Sequence, residues 1–476
     1  MSIDKKYIKW SSIAIFIIVS ALLSVKAVGV KDGATFTLSL VVTLYILINS
    51  KKDTKKCLYL FIVSMPILVT ARKLLYLDLF IIKLNFESII ILYIFITNFK
   101  PIINKGRELV NRYKVLSYFI ILFCLFSYIS CMFSNKPILS LELTTTSILL
   151  PIILGLIFVT IFEKCDMKKI VYSLILSINF SCLYGLVQLL GILVSGGHLK
   201  DSRDMLTFGY HNVNIFVNVA LMVFPLLLNE ILYKKNSIME KVFLILSGVL
   251  QMGCIFITFS RGAWLSLGLV VVLIIFSKKY KYLFIAMVII GGLLSPIVLP
   301  KVMGRGDSST HFLQNTSNTA RLLSIVTSKD VMIDNVFGVG YGNFNEVYRT
   351  NVADSYLSLN YNLRKNMVAP LYTMEHAHNF FLNIGVEQGV ISFISIVGIM
   401  GIFIWLSIKR YKDNRGIFVS LIIFIFIGLT TGIQLNHKGV LTNTYILWIL
   451  FGIIILNNVE SNKNIQEEKT LKMNSK

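Results

Sequence analysis

Long apolar runs, separated by short polar clusters, recur along almost the whole chain. A run of about 20 mostly apolar residues is long enough to cross a bilayer as a helix. Such runs fall at 11–30, 34–50, 57–71, 86–99, 115–133, 139–162, 170–194, 213–233, 241–259, 262–277, 282–300, 379–407, 416–435 and 439–457. Those at 57–71, 86–99 and 262–277 are the shortest. The stretch ARKLLYLDLFIIKLNF, 71–86, either spans or lies flat as an interfacial amphipathic helix. The pattern predicts an all-α polytopic membrane protein with about 12–14 transmembrane helices, and it shows no internal repeat. One long polar interval interrupts it, from Lys301 after the Pro296/Pro300 break to His378. The chain therefore divides into spans over 1–300, a loop carrying short helices over 301–378, further spans over 379–457 and a polar tail over 458–476.

Composition agrees with this division. Of 476 residues, 55% are hydrophobic and 15% charged, and mean hydropathy is +0.75, against about 25% charged residues in an average soluble domain. The net charge of +22 would suggest nucleic acid in a soluble chain. Here the lysines and arginines sit in short clusters between apolar runs, which is how topology signals and contacts to anionic lipid are distributed. With the N-terminus inside, the segments on the inner side hold most of the 46 Lys and Arg. Both termini are then cytoplasmic and the 301–378 loop is external. The six cysteines form no C-x-x-C pair and lie in or beside apolar runs, as small core residues do. The first run, Ser11 to Val30, lacks a small-residue cleavage signal and reads as a retained span.

That orientation sends several marked residues to one side. Arg261 lies in TFSRGAW, a link too short for a real loop. An arginine at that depth either faces a polar cavity or an anion, or snorkels to lipid phosphate. Arg321 lies in TARLLSIVTSKDVMIDN, where Leu322, Ile325 and Val326 recur at helical spacing, on a short surface helix. It is either a solvated side chain or a ligand. FGVGYGNF, with Gly338, Gly340 and Gly342, lacks the spacing and the Lys-Ser/Thr of a Walker motif. It reads as a turn that brings backbone close to something. His376 and His378 flank Ala377 in EHAHN, and in extended backbone they point the same way. A histidine can take a proton from a hydroxyl; zinc would want a third ligand at ligand spacing. Glu387 is a buried-acid candidate or a helix-end hydrogen-bond acceptor. His211-Asn212-Val213-Asn214 opens another span on the same side and is placed to line the same cavity. His198, His311 and His437 read as surface histidines.

TFGYHNVNIFVNVALMVFPLLL (207–228), TFSRGAWL (258–265), TARLLSIVTSKDVMIDNVFGVGYGNF (319–344) and EHAHNFFLNIGVEQGVISF (375–393) together resemble the O-antigen ligase/polymerase superfamily of polytopic glycosyltransferases. The resemblance covers roughly the C-terminal 60% of the chain. It implies a GT-C-like membrane fold and an undecaprenyl-diphosphate-linked glycan donor. It also implies metal-independent, inverting transfer on the outer leaflet of the cytoplasmic membrane, with no cofactor. The family's SRG arginine falls on Arg261, its loop arginine on Arg321 and its essential histidine, the one before Asn, on His378. Guanidinium forks match diphosphate oxygens, so both arginines would hold the leaving lipid diphosphate while His378 takes the acceptor proton. His376, Asn379, Gly340, Gly342, Asn214 and Glu387 would contact substrate. A tryptophan often found in the family a few residues after the loop arginine is absent here, where the chain reads LLSIVTS. Implied partners are a glycan or lipid-glycan acceptor, membrane lipids, a chain-length regulator and a flippase. The alternative class is a flippase or exporter of lipid-linked sugars, but such transporters carry repeats and midplane polar sites. A related cell-shape glycan polymerase would want an acidic residue in an outer loop; Asp307 and Asp354 lie there without a surrounding pattern.

Overall fold

The computed structural model describes residues 30–74, 77–79, 82–198, 205–210, 212–275, 280, 282, 285, 289, 312–314, 316–431 and 442–474. The expected spans at 11–30 and 282–300 lie outside the described residues, but for Val30 and three single positions, and so do His211, His311 and His437. The fold is nearly all helical. Helices α1 (Val30–Asn49), α2 (Thr54–Thr70) and α3 (Phe86–Thr97) come first. The bundle continues with α4 (Phe99–Arg112), α5 (Lys114–Ser130), α6 (Pro137–Ile161), α7 (Met167–Val194), α8 (Val213–Tyr233), α9 (Ile238–Ile257) and α10 (Arg261–Ile275). Then follow α11 (Thr316–Asp334), α12 (Phe344–Ser358), a single turn Tyr361–Arg364, α13 (Phe380–Gln388), α14 (Val390–Lys409), α15 (Tyr411–Thr431) and α16 (Thr442–Asn474). Among the described residues seven helices are long and apolar enough to cross a membrane, or eight if the bent pair α3–α4 counts as one span.

Three local expectations change. The 71–86 stretch is neither a span nor a flat helix. A short 3-10 turn, Ala71–Leu74, leads into an antiparallel ribbon that pairs Leu77–Leu79 with Ile82–Leu84. Leu-Asp-Leu and Ile-Lys-Leu alternate with period two, the strand period. Second, the polar cluster after 99 is helical: α4 turns 85° away from α3. It carries Lys100, Lys105, Arg107 and Arg112 and buries Ile102, as an amphipathic helix lying along an interface does.

Third, the expected 379–407 span is broken at Gly389, which has φ 88° and ψ 167°. The 336–340 loop crosses the chain there. The Val390 N–H donates to the Val336 carbonyl, while the Val339 and Gly340 N–H groups donate to the Val386 and Glu387 carbonyls. A Cβ on Gly338 would stand 2.5 Å from the Gly389 nitrogen, and one on Gly389 2.5 Å from the Val336 oxygen. Only two glycines let the backbones pass this closely.

The most enclosed span is α8, apolar nearly all round and packed against α7, α9, α10 and α15. A second, separate apolar cluster is built from Ala320, Leu323, Val331, Val339, Phe344, Tyr348, Val352, Met374, Ala377 and Val386. The described residues of the long polar interval therefore form a folded unit with a small core of its own, resting on the bundle through α13.

The Gly389 crossing makes a first prediction. Gly389→Ala forces an L side chain into a glycine-only backbone region and against the Val336 carbonyl, costing about 1–3 kcal/mol for the backbone alone. Its melting temperature in detergent should fall clearly below wild type. An unchanged melting temperature would show that the two segments do not cross as described.

Candidate functional site

The site is organised on the backbone of one buried residue, Ala377. Its N–H donates to Asn383 Oδ1 at 3.0 Å. Its carbonyl accepts from the Ser324 hydroxyl at 2.9 Å. That hydroxyl also lies 2.9 Å from the Arg321 carbonyl, so one proton is shared between the backbones of Arg321 and Ala377. Asn383 passes the connection on: its Nδ2 donates to Glu387 Oε2 at 3.1 Å. Glu387 Oε1 accepts from the backbone N–H groups of Gly342 (3.0 Å) and Phe344 (3.2 Å). The EHAHN segment, the arginine helix α11 and the glycine loop are thus joined by one chain of hydrogen bonds.

The two histidines flank the clamped residue. Both are half-buried, and their rings meet edge-on with centroids 4.6 Å apart. His378 has φ +51°, in the left-handed region that costs a side-chain-bearing residue about 1–2 kcal/mol. Such strain persists only where the surroundings over-determine it, and it gathers at functional sites. Here Ala377 fixes the chain on one side and Asn379 on the other. Asn379 caps α13, its Oδ1 accepting from the Phe381 and Leu382 N–H groups. Arg321 is exposed on α11, one turn before Ser324. Among the described residues no group of three His, Cys, Asp or Glu is placed to hold a metal ion.

Several residues expected to contact substrate have structural roles in the fold. The Asn379 side-chain oxygen is engaged in the cap. Glu387 is 1% exposed and faces the loop backbone. Gly340 and Gly342 approach protein: a Cβ there would meet Ser134 at 2.3 Å and Leu143 at 2.6 Å. The turn they make is locked by Asn343, whose Nδ2 donates to Ser134 Oγ (2.6 Å), and by Ser140 Oγ, which donates to the Tyr341 carbonyl (2.9 Å).

Arg261 opens α10; its side chain lies outside the described part of the structure. The bundle nevertheless fixes its level. α14 starts at the site, at Val390, and runs about 30 Å to Lys409, so Gly416 on the returning α15 is at the far end. A Cβ on Gly416 would touch Asn229 and Leu226 of α8, and the Tyr233 hydroxyl donates to the Ile274 carbonyl. The C-terminal ends of α8 and α10 are therefore far from the site. Their N-terminal ends, with Asn214 and Arg261, share the end that carries Ala377. Asn214 sits in the first turn of α8, where its N–H donates to the capping Asn212. Among the described residues the other two non-glycine residues with positive φ, Phe208 and Phe259, precede α8 and α10 at this same end.

Sequence reading missed Ser324 and Asn383. A signal for Asn383 exists: Asn379, Asn383 and Glu387 recur every fourth residue in an otherwise apolar run, one polar stripe on one helix face. Ser324 looks like any small residue on a packed helix, because its role is a bond to backbone 53 residues away.

Burial pushes the Glu387 carboxyl from its ordinary 4.5 up to about 8, against the donors from Phe344, Gly342 and Asn383, which favour the carboxylate. The folded state then holds this proton more tightly than the unfolded state. Its contribution to stability is complete below 4.5 and is lost as pH rises through about 8. Wild-type melting temperature should carry a falling component over that window that is missing in Glu387→Gln; an identical pH profile in the two would contradict the assignment. Asn383→Ala, which strands the Ala377 N–H, should cost about 1–3 kcal/mol, measured as a loss in thermal or denaturant stability. No loss would remove Asn383 from the clamp.

No curated protein matches the chain. The helices are those of a multi-pass membrane protein. Residues 246–397, from within α9 to within α14, match the family model described as O-antigen ligase, as a member of the O-antigen ligase/polymerase superfamily would.

Proposed function

We propose that this chain is a polysaccharide polymerase or ligase of the cell envelope. It transfers undecaprenyl-diphosphate-linked oligosaccharide units on the outer face of the cytoplasmic membrane. The family match supports a membrane enzyme of glycan assembly that acts on lipid-linked glycans. The observation that carries the finer reading is the Ser324 bridge, which ties the backbone of Arg321 to that of the residue beside His378. Polymerisation is favoured over ligation, because nothing in the chain points to a lipid A acceptor.

In this reading the acceptor hydroxyl gives its proton to His378 as its oxygen bonds to the anomeric carbon. The bond from that carbon to the lipid diphosphate oxygen breaks on the opposite face, so configuration inverts. The departing diphosphate gains negative charge, and Arg321 and Arg261 offset it through charge-assisted contacts. His376 shapes the pocket around the reacting hydroxyl. Asn379 and Glu387 hold His378 and the glycine loop in place and touch no substrate. Asn214, in the first turn of α8 at the same end, borders the glycan. The chemistry needs no metal, since two arginines supply the positive charge a divalent ion would otherwise bring.

Purified protein in liposomes carrying lipid-diphosphate-linked repeat units should form longer or transferred glycan, with EDTA without effect. His378→Ala should lower the rate by about 10²–10⁴-fold. Arg321→Ala and Arg261→Ala should each lower it by about 10²–10³-fold. Full activity in His378→Ala would remove the base. Movement of the donor between leaflets without any transfer would identify a flippase instead.

A further inference from the structure

At the end of the bundle opposite the site, a cavity of about 280 Å³ opens among α7, α8, α15 and α16. Its lining changes character with depth. Leu226 and Ile453 line it on the membrane side. Lys234 and Lys235, just beyond the end of α8, stand at its rim, about two helical turns further out than Leu226. Between them lie Asn229 and Glu230, each 7% exposed. The Asn229 Oδ1 has no hydrogen-bond partner among the described residues. The Glu230 carboxylate makes no ion pair or side-chain hydrogen bond among the described residues; only its backbone carbonyl is engaged, accepting from Asn236 Nδ2 at 2.8 Å.

Buried polar groups of this kind are costly unless something pairs with them. Two further lysines at the cavity are already neutralised: Lys168 pairs with Glu240 at 2.6 Å and Lys164 faces Asp413 at 3.6 Å. Lys234 and Lys235 are exposed and make no ion pair among the described residues. The cavity thus offers two exposed lysines at the rim, one of them close enough to attract the Glu230 carboxylate, hydrogen-bond acceptors one turn deeper, and an apolar wall below. A soluble anion would use only the first of these. An amphiphile uses all three, provided its head carries both a phosphate and a hydrogen-bond donor.

We propose that this cavity holds the headgroup of a membrane phospholipid. The phosphodiester lies against Lys234 and Lys235, a head hydroxyl or ammonium against Glu230 and Asn229, and the acyl stem against Leu226 and Ile453. The site is separate from the glycan site and independent of the proposed transfer reaction. Its occupant ties the ends of α7, α8 and α15 together, where the described protein atoms leave a gap.

The test is native mass spectrometry of the full chain in detergent, titrated with phosphatidylglycerol, phosphatidylethanolamine or phosphatidylcholine. One copy of either of the first two should be retained about tenfold better than phosphatidylcholine, whose quaternary head has no N–H or O–H to donate. The double variant Lys234→Ala/Lys235→Ala should weaken phosphatidylglycerol retention about tenfold. Lys51→Ala/Lys52→Ala, exposed lysines elsewhere, should leave it unchanged. Glu230→Met should bring phosphatidylethanolamine down to the level of phosphatidylcholine. Equal retention of all three lipids, or wild-type retention in the Lys234/Lys235 variant, would overturn the proposal. So would displacement of the lipid by soluble glycerol phosphate, which would identify a free phosphate as the occupant.

Discussion

Both backbone groups of Ala377 are held by side chains from other parts of the fold, and the rest of the site depends on that double clamp. Ser324 on α11 takes the carbonyl and Asn383 on α13 takes the N–H. The residue between two histidines cannot move without breaking both. His378 is consequently kept in a backbone conformation it would not adopt unaided. Through Ser324 the same clamp fixes the level of Arg321, and through Asn383 and Glu387 it fixes the turn at Gly342. Each donor in this chain is buried or half-buried, so losing any one of them strands a polar group away from water.

A membrane bundle is well suited to carry such a site. A bundle with the enclosed span α8 at its centre gives fixed ends against which short helices and loops can rest. The break at Gly389 turns one expected span into a short helix plus a span, and that break lets the 336–340 loop cross the chain at backbone distance. The two ends of the bundle differ in kind. One gathers the strained residues Phe208, Phe259 and His378 and the helix starts that follow them. The other gathers lysines and a cavity in which the Asn229 oxygen has no hydrogen-bond partner among the described residues.

Much of this was legible in the sequence, for physical reasons. Twenty-residue apolar runs cannot be mistaken for anything else, and α5 to α9 lie where the pattern put them. Arg321, His376 and His378 stood out as polar residues beside apolar runs, and three of the four motif segments lie within 246–397, the stretch that matches the O-antigen ligase model. What could not be read is what depends on contacts between distant residues. Gly389 looks like an ordinary glycine until the 336–340 loop is laid across it. The ribbon at 77–84 is too short for its period to outvote its apolar surroundings. Gly340 and Gly342 announce a close approach but not to what; in the fold Ser134 and Leu143 come close to them. Glu387 was visible as a buried acid, yet two of its three partners are backbone N–H groups more than 40 residues away.

The most direct measurement is single-turnover glycan transfer by Ser324→Ala in liposomes loaded with lipid-diphosphate-linked donor, alongside donor binding by the same protein. This variant leaves His378 and both arginines in place and removes only the hydroxyl that bridges Arg321 to Ala377. The transfer rate should fall well below wild type with donor binding nearly unchanged, because the base and the arginine lose their register. A wild-type rate in Ser324→Ala would contradict it, showing that the clamp does not position the chemistry.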